Sequence, residues 1–195
     1  MNIIFIGARG AGKSKVSRSL SKQTEFPVVS TDSIAVYESG GISIPKFVEK
    51  SGWKAFRELE YSILKKLQTA DGIIIDCGGG ILFDLDESGN EIPSSRKLDL
   101  LRSIGRIVYL ERGIEELIEK VKGDSTRPDL SKVTSYRSIL EKRLPVYQEA
   151  AHFKLNLSKL SKEEAAERVL DCYGICGNNR ELGLFGKGTR NFGFS

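Results

Sequence analysis

The chain has 195 residues, 39% of them hydrophobic and 29% charged, a balance that fits one soluble globular domain with a core of its own. Its net charge of +4 comes without a dense Lys/Arg block, which speaks against nucleic acid as a partner and leaves room for an anionic substrate. No apolar run reaches membrane length, and a strand that opens at Ile3 leaves no space for a signal or transit peptide, so the expected place is the cytoplasm.

In chain order, β-type apolar runs fall at residues 3–6, 27–30, 73–77, 106–110 and 153–157. Helical patterns lie between them near 13–22, 53–69, 113–122, 131–150 and 161–173. Strands that alternate with helices imply crossover units and a parallel sheet covered on both faces, an α/β fold. Residues 83–97, "FDLDESGNEIPSSRK", are acidic and rich in turn formers and read as a surface loop. The domain is expected over 1–173, with 174–195 a glycine-rich and poorly ordered tail. Three cysteines, Cys77, Cys172 and Cys176, are an odd number and read as reduced thiols.

The first motif follows the first strand. "GARGAGKS", residues 7–14, fits G-x-x-x-x-G-K-[ST] and leads into the helical "KVSRSLSK". Backbone N–H groups and a helix N-terminus then make a nest for phosphate. Gly10, Ala11, Gly12, Lys13, Ser14 and Lys15 form the expected nucleotide cradle, with Lys13 on the β/γ-phosphates and Ser14 on Mg²⁺. The loop indicates a nucleoside triphosphate and leaves the acceptor open.

Asp32 comes just past the second strand, where such sheets bind ligands. It suits a substrate hydroxyl; the alternative is the N-cap of the helix that follows, and the two roles can coexist. In "GWKAFRELEYSILKKLQ" the apolar stripe is Phe56, Leu59, Ile63 and Leu67; Arg57 sits at its edge and by itself reads as a solvated flank residue. After the third strand "CGGG" puts Gly78, Gly79 and Gly80 in a row, which points to something close against the backbone. Residues 122–132 form a polar segment with Arg127 before Pro128, suited to closing on phosphates. Arg143 falls on the inward face marked by Tyr136, Ile139 and Leu140, and needs either an internal carboxylate or a bound anion. Pro145 is expected to end or kink that helix. His152, the single histidine, reads as a packing or surface residue, and zinc is not expected.

Taken together, the ordered set resembles the shikimate kinase family over about residues 2–170. The matching pieces are GARGAGKS, Asp32, Phe56–Arg57–Glu58–Leu59–Glu60, Gly78–Gly80, Arg127–Pro128–Asp129–Leu130 and Arg143–Leu144–Pro145–Val146–Tyr147. The resemblance implies a nucleoside monophosphate kinase-like fold, a five-stranded parallel sheet between helices with a lid at about 123–132. It implies transfer of the ATP γ-phosphoryl group to a ring hydroxyl of shikimate, in the pathway to the aromatic amino acids, with Mg²⁺; a monomer is expected, although the sequence itself does not give the oligomeric state. Asp32 would hold the ring hydroxyls and take the proton. Arg57 and Arg143 would grip the shikimate carboxylate, Gly79 would meet the ring through its backbone, Arg127 would close on the phosphates and Lys120 would lie near the adenine.

Two positions depart from the family's pattern. Ser30 stands where the family commonly has an Asp that helps hold Mg²⁺, and Asp76 adds an acid before the glycines. The expectation is that Asp76 has taken over the magnesium-orienting task, beside the alternative of a structural pairing with Lys13 or a helix. These departures and the acidic stretch 83–97 leave two other readings, a kinase for another hydroxy-acid such as gluconate and a nucleotide-binding protein without catalysis.

Overall fold

Strand β1 (Asn2–Ile6) is "NIIFI", and every one of its residues is buried. A run apolar on both sides of the pleat belongs in the middle of a parallel sheet. In the computed structural model, which describes residues 1–121 and 136–174, β1 takes that place. The order is β2 (Val28–Ser30), β3 (Ile74–Asp76), β1, β6 (Gly105–Glu111), β7 (Phe153–Asn156), all in parallel.

The pleat sorts the core into two layers. Ile3 and Phe5 point to one face, where Val16 and Leu20 of α1 (Lys13–Thr24) and Ala166 and Val169 of α7 (Lys162–Cys172) cover them. Ile4 and Ile6 point to the other face. There they meet Leu64 of α3 (Ile44–Leu67), Leu101 of α4 (Ser95–Ile104), Leu117 of α5 (Ile114–Val121), and Leu140 and Tyr147 of α6 (Tyr136–Ala150). Helix α2 (Thr31–Glu38) and α3 close a third cluster around Ala35, Phe56 and Ile63. The five-stranded three-layer fold is the expected one. Among the described residues no helix is long and apolar enough to cross a membrane.

The differences from expectation are local. Residues 83–97 are an ordered antiparallel hairpin, β4 (Phe83–Leu85) with β5 (Glu91–Pro93), running into α4. Phe83, Ser94 and Lys97 within it are buried, so the stretch is part of the packed structure. Helix α2 had no apolar periodicity to announce it. Its N-cap is Ser30, whose Oγ accepts from Ser33 N at 3.3 Å, so the cap falls to Ser30, two residues before Asp32. Helix α3 starts well before residue 53, with a break at Gly52 (φ 80°, ψ 164°). Helix α6 runs on past Pro145 to Ala150. His152 holds the edge of the sheet, its Nδ1 accepting from Ile107 N at 2.9 Å. Cys77 and Cys172 are free thiols; Cys176, Arg127, the segment 123–132 and the tail from 175 lie outside the described residues.

Candidate active site

Residues Gly7 to Gly12 turn the chain from the C-terminal end of β1 into α1. Gly12 is the helix N-cap, in the left-handed region at φ 105°, and no side chain caps the helix. The first-turn N–H groups of α1 therefore face a site instead of a capping oxygen, the arrangement that receives phosphate. Lys13 is buried and its Nζ donates to Gly7 O at 2.9 Å and Ala8 O at 3.0 Å, holding the loop closed on itself. Ser14 and Lys15 follow on the exposed side of the first turn. Arg112, just past β6, donates to Ala11 O at 3.0 Å and pairs with Glu116, and Tyr136 OH donates to Arg9 O at 2.9 Å. Lys120 is one turn beyond Glu116; its pKa is lowered, by burial and then by the charges of Arg112 and Lys15.

The strand register brings the acceptor side to the same edge. Asp76 pairs with Phe5 on one side and Ser30 on the other, so the segments after β1, β2 and β3 leave the sheet together. This is the carboxyl edge, where open α/β sheets bind ligands. Gly78 N donates to Thr31 Oγ1 at 2.8 Å, which ties the glycines to the start of α2. Burial raises the pKa of the Cys77 thiol strongly, and Asp76, Lys13, Asp32 and Glu60 all act on it, so these charges gather round one point.

Each of the three glycines has its own spatial reason. A methyl group at Gly78 would overlap Asp32 Oδ1. One at Gly80 would overlap the Arg57 guanidinium, and one at Gly79 would press on Arg9 N at 3.2 Å. The glycines thus make room for the acid, the arginine and the phosphate loop around one hollow.

Arg57 and Arg143, from α3 and α6, converge there, and both are buried, at 3% and 6% exposure. Two guanidinium groups so close and so dry need an anion. Glu91 of the hairpin supplies it. Arg143 Nε donates to Glu91 Oε2 at 2.8 Å, Arg143 Nη2 donates to Oε1, and Arg57 Nη2 donates to the same Oε1 at 2.7 Å. Burial would raise the pKa of Glu91, but the Arg143 fork and the charge of Arg57 outweigh it and the value is lowered. Arg57 Nη1 also holds Glu60 at 2.9 Å, while Arg57 Nε is buried without a hydrogen-bond partner among the described residues. Arg143 Nη1 and Tyr147 OH both donate to Gly79 O and pin the middle glycine.

Lys13, Ser14, Asp32, Arg57, Asp76, the three glycines and Arg143 therefore lie along one edge. Arg57, which the stripe alone placed as a solvated flank residue, is instead buried, because Glu60 and Glu91 pay its charge back. Sequence reasoning missed Glu91, Glu60, Arg112, Tyr136 and Tyr147 as parts of the site. Glu60 was legible as an acid at i+3 from Arg57; Glu91 had no local signal, because its partners are 34 and 52 positions away.

Comparisons with known proteins agree with this geometry. A family model described as shikimate kinase matches residues 9–173. A shikimate kinase of Leptospira biflexa serovar Patoc is 86% identical over 175 residues, covering 90% of this chain and 97% of that protein. A shikimate kinase of Leptospira borgpetersenii serovar Hardjo-bovis is 57% identical over 171 residues, 87% of this chain and 96% of its own length. Among solved structures, a shikimate kinase from Acinetobacter baumannii in complex with shikimate superposes with a TM-score of 0.77 at 26% identity, over 88% of this chain and 92% of that one.

Proposed function

The chain belongs to the shikimate kinase family, and from that premise we propose which of its residues carry the reaction. The enzyme uses ATP and Mg²⁺ to phosphorylate a ring hydroxyl of shikimate, giving shikimate 3-phosphate. The observation that carries the residue assignment is the convergence of Arg57 and Arg143 on a single carboxylate beside Gly79 and Asp32. Two planar forks around one carboxylate are what a carboxylated acceptor needs, since each can pair with it through two parallel hydrogen bonds.

With the acceptor's carboxylate on the arginines, its ring lies against the glycines and its hydroxyls reach Asp32. Asp32 orients the attacking hydroxyl and accepts its proton as the new O–P bond forms. The bond between the γ-phosphorus and its bridging oxygen breaks, and ADP leaves. The α1 N-terminus, the N–H groups of Gly10, Ala11 and Gly12, and Lys13 neutralise the phosphates, with Lys15 and Lys120 at the rim of the nucleotide's seat. Arg127 belongs to the same reading through its motif, as the cation that stabilises the transferring charge.

The donors at this edge fit magnesium. They are oxygens, the Ser14 hydroxyl and the buried Asp76 carboxylate, and a hard cation prefers oxygen and keeps several waters. Ser14 and Asp76 would hold the ion, and when bound it draws charge from the phosphate oxygens. That the reaction runs in the cytoplasm is part of the proposal too, supported by its dependence on ATP and by the free thiols of Cys77 and Cys172.

An ADP-release assay across shikimate, quinate, gluconate and a neutral polyol tests the assignment. Turnover should be confined to the carboxylated ring alcohols and be greatest with shikimate. Equal turnover of the neutral polyol would contradict the role given to the arginines.

A further inference from the structure

Glu91 occupies the place that the acceptor's carboxylate needs. We propose that it is a built-in competitor, which holds the two arginines while the site is empty and must leave when the acceptor binds. This rests on reading Arg57 and Arg143 as the acceptor's grip.

Three observations carry the proposal. The first is the use of donors. Glu91 takes both the Nε and the Nη2 edge of Arg143 and one Nη2 bond of Arg57. A second carboxylate cannot take the same fork while Glu91 is on it. The second is charge. Arg57, Arg143, Lys97 and Arg96 are linked by ion pairs to Glu60, Glu91, Asp84 and Glu58, four cations to four carboxylates. The network is neutral as it stands, so an incoming carboxylate adds an unmatched negative charge to it, and the departure of Glu91 to solvent restores the balance.

The third is mechanical. The hairpin is fastened through Asp84, which accepts from Ser94 Oγ at 2.6 Å and Arg96 Nε at 2.8 Å, and through Lys97 Nζ, which donates to Phe83 O at 2.8 Å. Glu91 lies outside these fastenings, in the last pair before the 86–90 turn, opposite Leu85. Its side chain is 24% exposed, against 3% and 7% for the two arginines. It can turn into water by rotating its own side chain while the backbone stays in place. Glu60 cannot do the same, being 4% exposed and held also by Lys97 at 3.1 Å.

The consequence is specificity. Only an acceptor that brings its own anion can displace Glu91 and keep the arginines paired; a neutral alcohol leaves Glu91 in place and meets a filled seat. The arrangement also keeps two neighbouring guanidinium groups ordered before substrate arrives, which lowers the ordering cost of binding.

The test is the shikimate and ATP KM of the wild-type chain, Glu91→Gln and Arg143→Ala, with the methyl ester of shikimate as a neutral acceptor. Glu91→Gln should lower the KM for shikimate by roughly five- to twentyfold, the scale of one displaced charge-assisted pair, and leave the KM for ATP in place. It should lower the KM for the ester as well. An unchanged or raised KM for shikimate would mean that Glu91 is a fixed support of the arginines, and the proposal fails. Arg143→Ala separates the two ideas: a raised shikimate KM there keeps the grip even if the Glu91 result is negative, and no change removes the grip itself. Should Glu91→Gln fold poorly, a crystal structure of the wild-type chain with shikimate decides. Glu91 turned away, with the substrate carboxylate on the Arg143 fork, supports the competitor; Glu91 still on that fork overturns it.

Discussion

Gly78, Gly79 and Gly80 are consecutive, yet each gives way to a different neighbour: Asp32, the phosphate-loop backbone at Arg9, and Arg57. Single alanine variants should therefore fail in three different ways. Gly78→Ala pushes the Asp32 carboxylate from its place and should cut kcat by about 10²-fold or more, the range of a misplaced general base. Gly79→Ala presses on backbone and should raise the KM for ATP. Gly80→Ala moves the end of a long side chain and should raise the KM for shikimate with kcat less affected. Steady-state kinetics with both substrates checks this, and one common pattern for all three variants would refute separate roles. Ser30 supports a second prediction at this scale. It caps α2, so Ser30→Ala should cost about 1 kcal/mol of stability in a thermal melt and change the Mg²⁺ requirement little. Asp76→Asn should raise that requirement sharply in a magnesium titration of activity. The reverse pattern would return the metal task to position 30.

The β4–β5 hairpin is the element that gives this chain its own character. Its root is Lys97, with no exposed surface, bonded to Glu60, Phe83 O and Asp84. Lys97→Met keeps most of the volume but takes one cation from Glu60 and Asp84, which keep only Arg57 and Arg96, and so leaves the buried network one negative charge in excess. It should lower stability by about 3–5 kcal/mol, the cost of breaking a buried pair, read by denaturant titration. A loss below about 1 kcal/mol would show that the hairpin is not held there. Asp84 supplies the pH dependence. Burial works to raise its pKa, but hydrogen bonds from Arg96, Ser94 and Lys97 prevail and hold it well below the ordinary aspartate range. A carboxylate with a folded-state pKa below its unfolded one adds stability above the unfolded value, and that stability is lost as pH falls through and below it. The wild-type chain should therefore lose melting temperature steeply below about pH 4, and Asp84→Asn should show a shallower decline over the same window. Parallel curves would contradict the assignment.

For the whole molecule, the sheet was legible because its strands are short apolar runs between helices, and the pleat sends Ile3 and Phe5 one way and Ile4 and Ile6 the other. The phosphate loop was legible because its chemistry is written in eight consecutive residues. Arg143 was legible as a buried cation in need of an anion, but not the identity of that anion. Glu91 reaches the arginines through a hairpin whose acidic, turn-rich sequence looks like surface, and only the folded chain shows Phe83, Ser94 and Lys97 turning inward. Helix α2 was legible only as the stretch behind a possible cap at Asp32, because an N-cap, which falls at Ser30, and a tertiary contact define it, not a periodic stripe. The central claim is that Arg57 and Arg143 are the seat of the acceptor's carboxylate and take no part in holding ATP. Calorimetric titration of Arg143→Ala with shikimate and, separately, with a non-hydrolysable ATP analogue tests it most directly. Shikimate affinity should fall by about 2–5 kcal/mol while the analogue's Kd stays within about twofold of wild type; equal losses for both ligands, or no loss for shikimate, would contradict the claim.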